Sequence, residues 1–271
     1  MTRKEQLDTN GWIHIKNVFT KEEVATIREN AINTTSHKGD VLSNPKLKSV
    51  LINDKVMTIL KEALGTDSLI YFGDSTALVG NNDSGFHKDS RDRKKPESNE
   101  WHDTHYSLVR IGVYTQDHSN HSGGLVIRDK SHLNQSTKIG EIINVKSEVG
   151  DLLVWKLTTS HSGNARVPKW NPKKAYDPKF SKKIPGFLIQ KAIEPRAAIF
   201  ATFGKEDEYS DLYIEYLKSR TYAVQNWLDT DYNENQVEDF SKMNVKVVEF
   251  DKSELQQLMN SGNLNDGFKQ L

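Results

Sequence analysis

Between Leu69 and Phe203 the chain offers eight short runs rich in β-branched and aromatic residues: LIYF, ALVG, YSLVRIGVYT, GGLVIR, EIINV, DLLVWKL, PGFLIQ and RAAIFATF. Clusters of Asn, Asp, Gly, Ser and Pro separate them. Short apolar runs bounded by turn-forming residues read as strands. Strands that follow one another without intervening helical patterns must pair antiparallel and curl into a sandwich or barrel, because no βα units are present to make a parallel sheet.

Helical patterns flank this region. After WIHIKNVF (residues 12–19), which alternates like a half-buried strand, Thr20 and Glu23 form a capping box ahead of Val24, Ile27 and Ala31 at helical spacing. A second helix is expected over residues 55–64, with Gly65 as its C-terminal cap. Beyond Gly204, residues 209–227 read as an amphipathic helix, residues 245–250 as a strand and residues 252–259 as a short helix. Two polar segments, 90–103 and 164–185, interrupt the strands and are too long for simple hairpin loops. No linker or repeat divides the 271 residues, so one domain is expected. Its core lies at about 69–204, with an N-terminal strand and helices in 1–68 and a C-terminal extension in 205–271.

The composition excludes several chemistries. With no cysteine there is no disulfide, thiolate nucleophile or iron–sulfur cluster, so any metal must sit on His, Asp, Glu or backbone oxygen. Thirty-seven basic residues balance 37 acidic ones, leaving no bulk field to collect nucleic acid or an anionic membrane. The N-terminus MTRKEQLDTNGW lacks an apolar signal core, and no window approaches the ~18 apolar residues of a membrane span. A cytoplasmic location is the expectation.

His87-Lys88-Asp89 is an H-x-D triplet after the candidate strand ALVG. On an extended chain residues i and i+2 point to one side, so its imidazole and carboxylate converge. Two ligands of a 2-His-1-carboxylate facial triad for Fe(II) are arranged in this way. The triplet alone has little weight, since nine histidines and 37 acidic residues give about one such match by chance. His161, which ends the apolar run DLLVWKLTTSH, is the candidate third ligand, or else a core histidine bonded to a loop carbonyl. His132 and His105 compete for that role, while Asp151 is expected to open its strand structurally. Arg196 shares a strand face with Ala198, Phe200 and Thr202. It either meets an anion, which its guanidinium fork would hold bidentately, or snorkels into water, and Arg166 is its rival.

The order of features resembles the phytanoyl-CoA dioxygenase family of Fe(II)/2-oxoglutarate oxygenases. The likeness is carried by GWIHIKNVFTKEEV, the HKD triplet, YSLVRIGVYTQDHSNHSGGLVIRDKSH, VGDLLVWKLTTSHSGN and PRAAIFATF, over roughly residues 10–204. It implies a mainly β, double-stranded β-helix (jelly-roll) core with flanking α-helices. It also implies His87, Asp89 and His161 as catalytic metal ligands for Fe(II), and Arg196 holding the distal carboxylate of the cosubstrate 2-oxoglutarate. Tyr114 falls where the family places an aromatic residue beside the cosubstrate. Arg110, on the same strand face, either joins it there, meets a substrate carboxylate or forms a structural ion pair. Arg196 follows His161 by 35 residues where the family has about a dozen, so 164–185 is an insertion or Arg196 is the wrong residue.

The resemblance implies a dioxygenase that consumes O2 and releases succinate and CO2 while oxidising a small molecule. Asp89, standing where halogenating relatives have a small residue, points to hydroxylation and not halogenation. Residues 90–103, 164–185 and 205–271 are expected around the mouth of the site and to set specificity. Lysines 169–183 either attract an anionic substrate such as an acyl-CoA, phosphate or phosphonate, or form a solvated loop. Trp101, His102 and His105 either line the pocket or anchor their loop. The alternatives are a protein-modifying oxygenase and a non-oxygenase metal-binding jelly roll. Zero net charge argues against a nucleic-acid substrate, and oligomeric state is open.

Overall fold

The computed structural model describes residues 1–80 and 85–265. The chain begins with α1 (Arg3–Asn10), closed at one end by a Thr2–Glu5 capping box and at the other by left-handed Gly11, φ 81°. No apolar stripe announces this helix, because Leu7 is its one buried residue. β1 (Trp12–Ile15) is shorter than its alternating run: Asn17 turns left-handed, φ 57°, and the Val18 and Phe19 amides both donate to the Gly150 carbonyl. α2 (Lys21–Asn33) opens on the expected Thr20–Glu23 box and buries Val24, Ile27 and Ala31. α3 (Asp54–Leu64) ends at left-handed Gly65.

The strands follow as β2 (Leu69–Tyr71), β3 (Thr76–Val79), β4 (Val109–Tyr114), β5 (Val126–Arg128), β6 (Ile142–Asn144), β7 (Leu152–Lys156), β8 (His161–Ser162), β9 (Val167–Pro168), β10 (Ile189–Gln190) and β11 (Ala197–Gly204), with α4 (Pro178–Ser181) between β9 and β10. Of PGFLIQ only Ile189 and Gln190 are strand, since Gly186–Leu188 coils into a 3-10 turn. The expected helix over 209–227 is two, α5 (Glu208–Lys218) and α6 (Thr221–Leu228), because Arg220 adopts an extended backbone, φ −113° and ψ 120°, between them. α7 (Glu234–Lys242), capped by Asn233 and Gln236, was not foreseen. β12 (Val245–Val247) and α8 (Lys252–Asn260) complete the chain.

A seven-stranded sheet runs β1-β7-β4-β11-β2-β12, with β3 also on β11. A three-stranded sheet β6-β5-β8 faces it, and β9 and β10 form a separate ribbon. These two opposed sheets, with their flanking helices, make the expected mainly β jelly roll. β12 pairs parallel to β2, so the C-terminal extension contributes a strand to the large sheet.

Side-chain alternation along β4, β7 and β11 gives this sheet two faces. Ile111, Val113, Leu152, Val154, Ile199 and Ala201 pack with α2 and α3 in the main core. Tyr114, Leu153, Trp155 and Ala198 point the other way, against Leu125, Ile127 and Val145 of the small-sheet side. Each fully buried aliphatic side chain in such a core stabilises by about 1.5–3 kcal/mol. The space between the sheets is thus walled by a stable layer, and polar groups placed there are held on rigid strands. Among the described residues no helix is long and apolar enough to cross a membrane.

Two buried histidines make the fold acid-sensitive. His132 bonds the Asp8 carbonyl through Nε2 at 3.0 Å, and burial together with nearby Lys156 pushes its pKa down to about 4. His118 bonds the Ser122 carbonyl through Nδ1 at 3.2 Å, and burial together with Arg196 pushes it down to about 4. Both folded values lie below the unfolded value of about 6.5. The unfolded chain therefore takes up protons that the folded chain refuses, so stability is full above about pH 6.5 and is lost as pH falls toward 4. The loss is on the order of 3 kcal/mol per histidine across that window. Urea denaturation from pH 7.5 down to 4.5 is expected to show a falling midpoint, and His132→Gln a shallower fall.

Candidate active site

His87 and His161 face each other across an antiparallel bridge, each amide donating to the other's carbonyl at 3.0 and 2.9 Å. His161 lies on β8, paired with Ile127 of β5, and the Asp89 amide bonds the Leu157 carbonyl at 3.0 Å. Three backbone attachments thus fix the three residues of the predicted triad.

The rings are also oriented. His87 Nδ1 lies 3.0 Å from the Gly85 carbonyl and His161 Nδ1 3.0 Å from the Thr159 carbonyl. A carbonyl can only accept, so each ring donates from Nδ1 and turns its Nε2 toward the site. His87 Nε2 is 3.8 Å from Asp89 Oδ1, and His161 Nε2 is 3.5 Å from Asp89 Oδ2. The three ligand atoms lie within 4.8 Å of one another, the one such group of His, Asp and Glu among the described residues that could hold a metal ion.

Electrostatics set the same protonation states. Burial alone would raise the Asp89 pKa, yet Arg110 and the two histidines hold it down to about 2. Burial, aided by His87, pushes His161 down to about 3. At neutral pH the carboxylate is therefore charged and the His161 imidazole neutral, the states a divalent cation requires.

Arg110 joins Asp89 to a second buried carboxylate. Its Nη1 is 3.2 Å from Asp89 Oδ2 and its Nη2 is 3.1 Å from Asp74 Oδ2. Asp74 in turn accepts from the Thr202 amide and hydroxyl, at 3.1 and 2.7 Å, and from the Tyr213 hydroxyl at 3.0 Å. Of the three expectations for Arg110, the structure displays the ion pair.

Arg196 differs. It is 3% exposed, its Nε and Nη1 have no hydrogen-bond partner, and it forms no ion pair among the described residues. Its guanidinium carbon lies 5.5 Å from the Tyr114 ring and 5.6 Å from the Phe200 ring. The Tyr114 hydroxyl is also buried, and its interaction is with Arg196. An uncompensated buried charge costs several kcal/mol, a cost that an anion beside this guanidinium would relieve. Arg166, the rival, points elsewhere and donates to the Ser181 and Lys182 carbonyls at 3.4 and 2.9 Å.

The triad, Arg110, Tyr114 and Arg196 all line one cavity of about 540 Å3. Leu125, Trp155 and Phe200 give it apolar walls, and Asp74, Ser75, Thr76 and Leu78 close another side. Gly112 leaves room for the Trp155 ring, which a β-carbon there would approach to 2.9 Å. Trp155 in turn lies 5.2 Å from the His161 ring.

Several expectations are corrected. His132 is buried against α1 and His105 is exposed; neither approaches the triad. Trp101 is buried and donates to the Lys95 carbonyl at 2.8 Å, so it anchors its loop, while His102 is exposed. No residue of 90–103 or 164–185 lines the cavity among the described residues. The tail does, through Tyr222, Ala223 and Asn226 of α6. Neither these residues nor Asp74 stood out in the sequence. No local pattern marks them, because the break between α5 and α6 and the long-range pairing of Asp74 with Arg110 bring them to the site.

No family model matches this chain, and no curated protein matches it. Solved structures do share its fold. The non-heme α-ketoglutarate-dependent epimerase SnoN from nogalamycin biosynthesis aligns at 16% identity and a TM-score of 0.51, over 74% of this chain and 79% of its own. EctD from S. alaskensis with bound Fe aligns at 14% and 0.51, over 74% and 75%. HygX from Streptomyces hygroscopicus, with nickel and 2-oxoglutarate bound, aligns at 15% and 0.51, over 75% and 87%. The chain thus has the jelly-roll fold of 2-oxoglutarate oxygenases.

Titration calorimetry with Ni(II) is expected to show one site in the wild-type protein. Binding should weaken more than tenfold in Asp89→Ala and in His161→Ala and stay unchanged in His105→Ala, because only the first two remove a ligand.

Proposed function

We propose that this protein is an Fe(II)- and 2-oxoglutarate-dependent dioxygenase that hydroxylates a small molecule. The observation that carries the reading is one cavity holding both a His-Asp-His triad with its ligand atoms gathered within 4.8 Å and a buried arginine that forms no ion pair among the described residues. His87, Asp89 and His161 hold the metal, and Arg196 with the Tyr114 hydroxyl receives the distal carboxylate of 2-oxoglutarate. When bound, iron and 2-oxoglutarate supply O2-driven oxidation of a C–H bond, with succinate and CO2 as coproducts.

The chain's own residues supply position and dryness. Two oriented imidazoles and one carboxylate would hold the metal through three ligand atoms gathered in one place. Arg110 forms an ion pair with the Asp89 carboxylate and is itself steadied by Asp74 and Thr202, which favours one position for the ligand. Tyr114 and Phe200 flank Arg196 with aromatic rings, an apolar setting that would strengthen a guanidinium–carboxylate attraction. Thr76, Tyr222 and Asn226 lie across the cavity and offer a polar surface for substrate. The volume suits a small molecule, within the usual ~300–1,000 Å3 of ligand pockets. Asp89 occupies the carboxylate position, which leaves no ligand gap for a halide and favours hydroxylation.

Adding Fe(II) and then 2-oxoglutarate without oxygen is expected to produce a weak visible charge-transfer band that needs both. Asp89→Ala should abolish it, and Arg196→Ala should require far more 2-oxoglutarate. A folded wild-type protein that binds Fe(II) but gives no band would overturn the oxygenase reading in favour of a metal-binding jelly roll of another kind. Arg110→Ala should lower metal affinity about tenfold, with partial recovery in Arg110→Lys, while the 2-oxoglutarate requirement at saturating metal stays near wild type.

A further inference from the structure

The balanced net charge conceals an uneven distribution. Residues 164–191 contain eight basic side chains and one acidic one, Asp177. The β9–β10 ribbon carries this segment outward: Val167 faces Gln190, Pro168 faces Ile189, and the Lys169 amide bonds the Leu188 carbonyl. Trp170 follows this ribbon directly, and Phe187 lies in the 3-10 turn that leads back into it.

The excursion beyond is a built element. Asp177 pairs with Arg128 at 3.1 Å, Lys146 donates to the Pro172 carbonyl at 3.0 Å, and Pro178, Ser181 and Ile184 are buried beneath α4. Its outer surface is unusual. Trp170 is 54% exposed, Phe180 53% and Phe187 73%, all on this one excursion. The rings of Trp170 and Tyr176 lie 6.5 Å apart and those of Tyr176 and Phe180 5.6 Å apart, so they form a continuous row. Lys169, Lys173, Lys174, Lys179 and Lys183 are exposed on the same segment.

We propose that this aromatic, lysine-rich excursion docks the protein on an anionic lipid surface. Rings at the tip would enter the headgroup–acyl boundary, where Trp and Phe gain apolar contact, while ammonium groups meet lipid phosphates. The charge is complementary to an anionic leaflet, and its carriers are lysines. Arg166, the segment's one arginine, donates to its own backbone, so the bidentate contacts favoured in nucleic-acid recognition are missing here. The excursion lines no part of the cavity among the described residues, so this proposal stands apart from the oxygenase reading.

Flotation with phosphatidylcholine vesicles, with and without a minority of phosphatidylglycerol, tests it. The full-length protein is expected to bind only the anionic vesicles, with a blue shift of fluorescence from the exposed Trp170. Changing Lys173, Lys174 and Lys179 to Gln should weaken binding about a hundredfold, three cations at the usual increment each. Trp170→Ser with Phe187→Ser should weaken it about tenfold or more at unchanged charge. These are exposed positions, and far-UV circular dichroism checks that each variant is folded. No binding to anionic vesicles at low salt, equal binding by the ring-less variant, or tighter binding to a DNA oligonucleotide than to vesicles would each overturn the proposal.

Discussion

Four charges that line one cavity govern how this protein is put together. Asp74 and Asp89 share Arg110, and Arg196 stands apart from all three. Charges in such a place survive only if paired, hydrogen-bonded or awaiting a ligand. The Asp74–Arg110–Asp89 chain leaves one negative charge in excess beside the two histidine rings, which suits a cation. The isolated Arg196, among Tyr114, Phe200 and Gly163, leaves a positive charge in excess, which suits an anion. A charge balance that suits a cation and one that suits an anion meet in one cavity, and the functional proposal rests on that pairing.

The sheets make this tolerable. Because side chains alternate along β4, β7 and β11, each strand commits half its residues to the apolar core with α2 and α3 and frees the other half for the cavity. Polar groups can then be concentrated on one face while the opposite face supplies the stability. Gly112 and Trp155 show how tight the arrangement is, since the ring that flanks His161 occupies the volume a side chain at 112 would need. The acid-labile His118 and His132 belong to the same design: burial keeps them neutral, and protonation competes with the fold.

The C-terminal segment has two roles. Its strand β12 extends the large sheet beside β2, and its helix α6 brings Tyr222, Ala223 and Asn226 to the wall opposite Arg196. Residues 90–103 and 164–185, expected at the mouth, are occupied otherwise. The first is pinned by buried Trp101 and Glu100, and the second is carried away on the β9–β10 ribbon. The cavity is therefore lined from the β3 region and α6, a division that length and polarity of loops did not reveal.

What the sequence determined by itself was local. Period-two runs specified the strands and which residues share a face, so Arg110, Gly112 and Tyr114, and likewise Ala198, Phe200 and Thr202, could be assigned to the cavity side. Capping boxes and a left-handed glycine specified the ends of α2 and α3, and H-x-D spacing specified two ligands on one side of an extended chain. Tertiary structure decided everything that depends on distance along the chain. It set His161 rather than His132 or His105 against His87, turned Arg196 inward and Arg166 outward, gave Arg110 its two carboxylates, and bent the C-terminal helix at Arg220 to complete the wall. The physical reason is that backbone propensity and side-chain period act over a few residues, whereas pairing of a buried charge depends on which distant strand the fold returns to it.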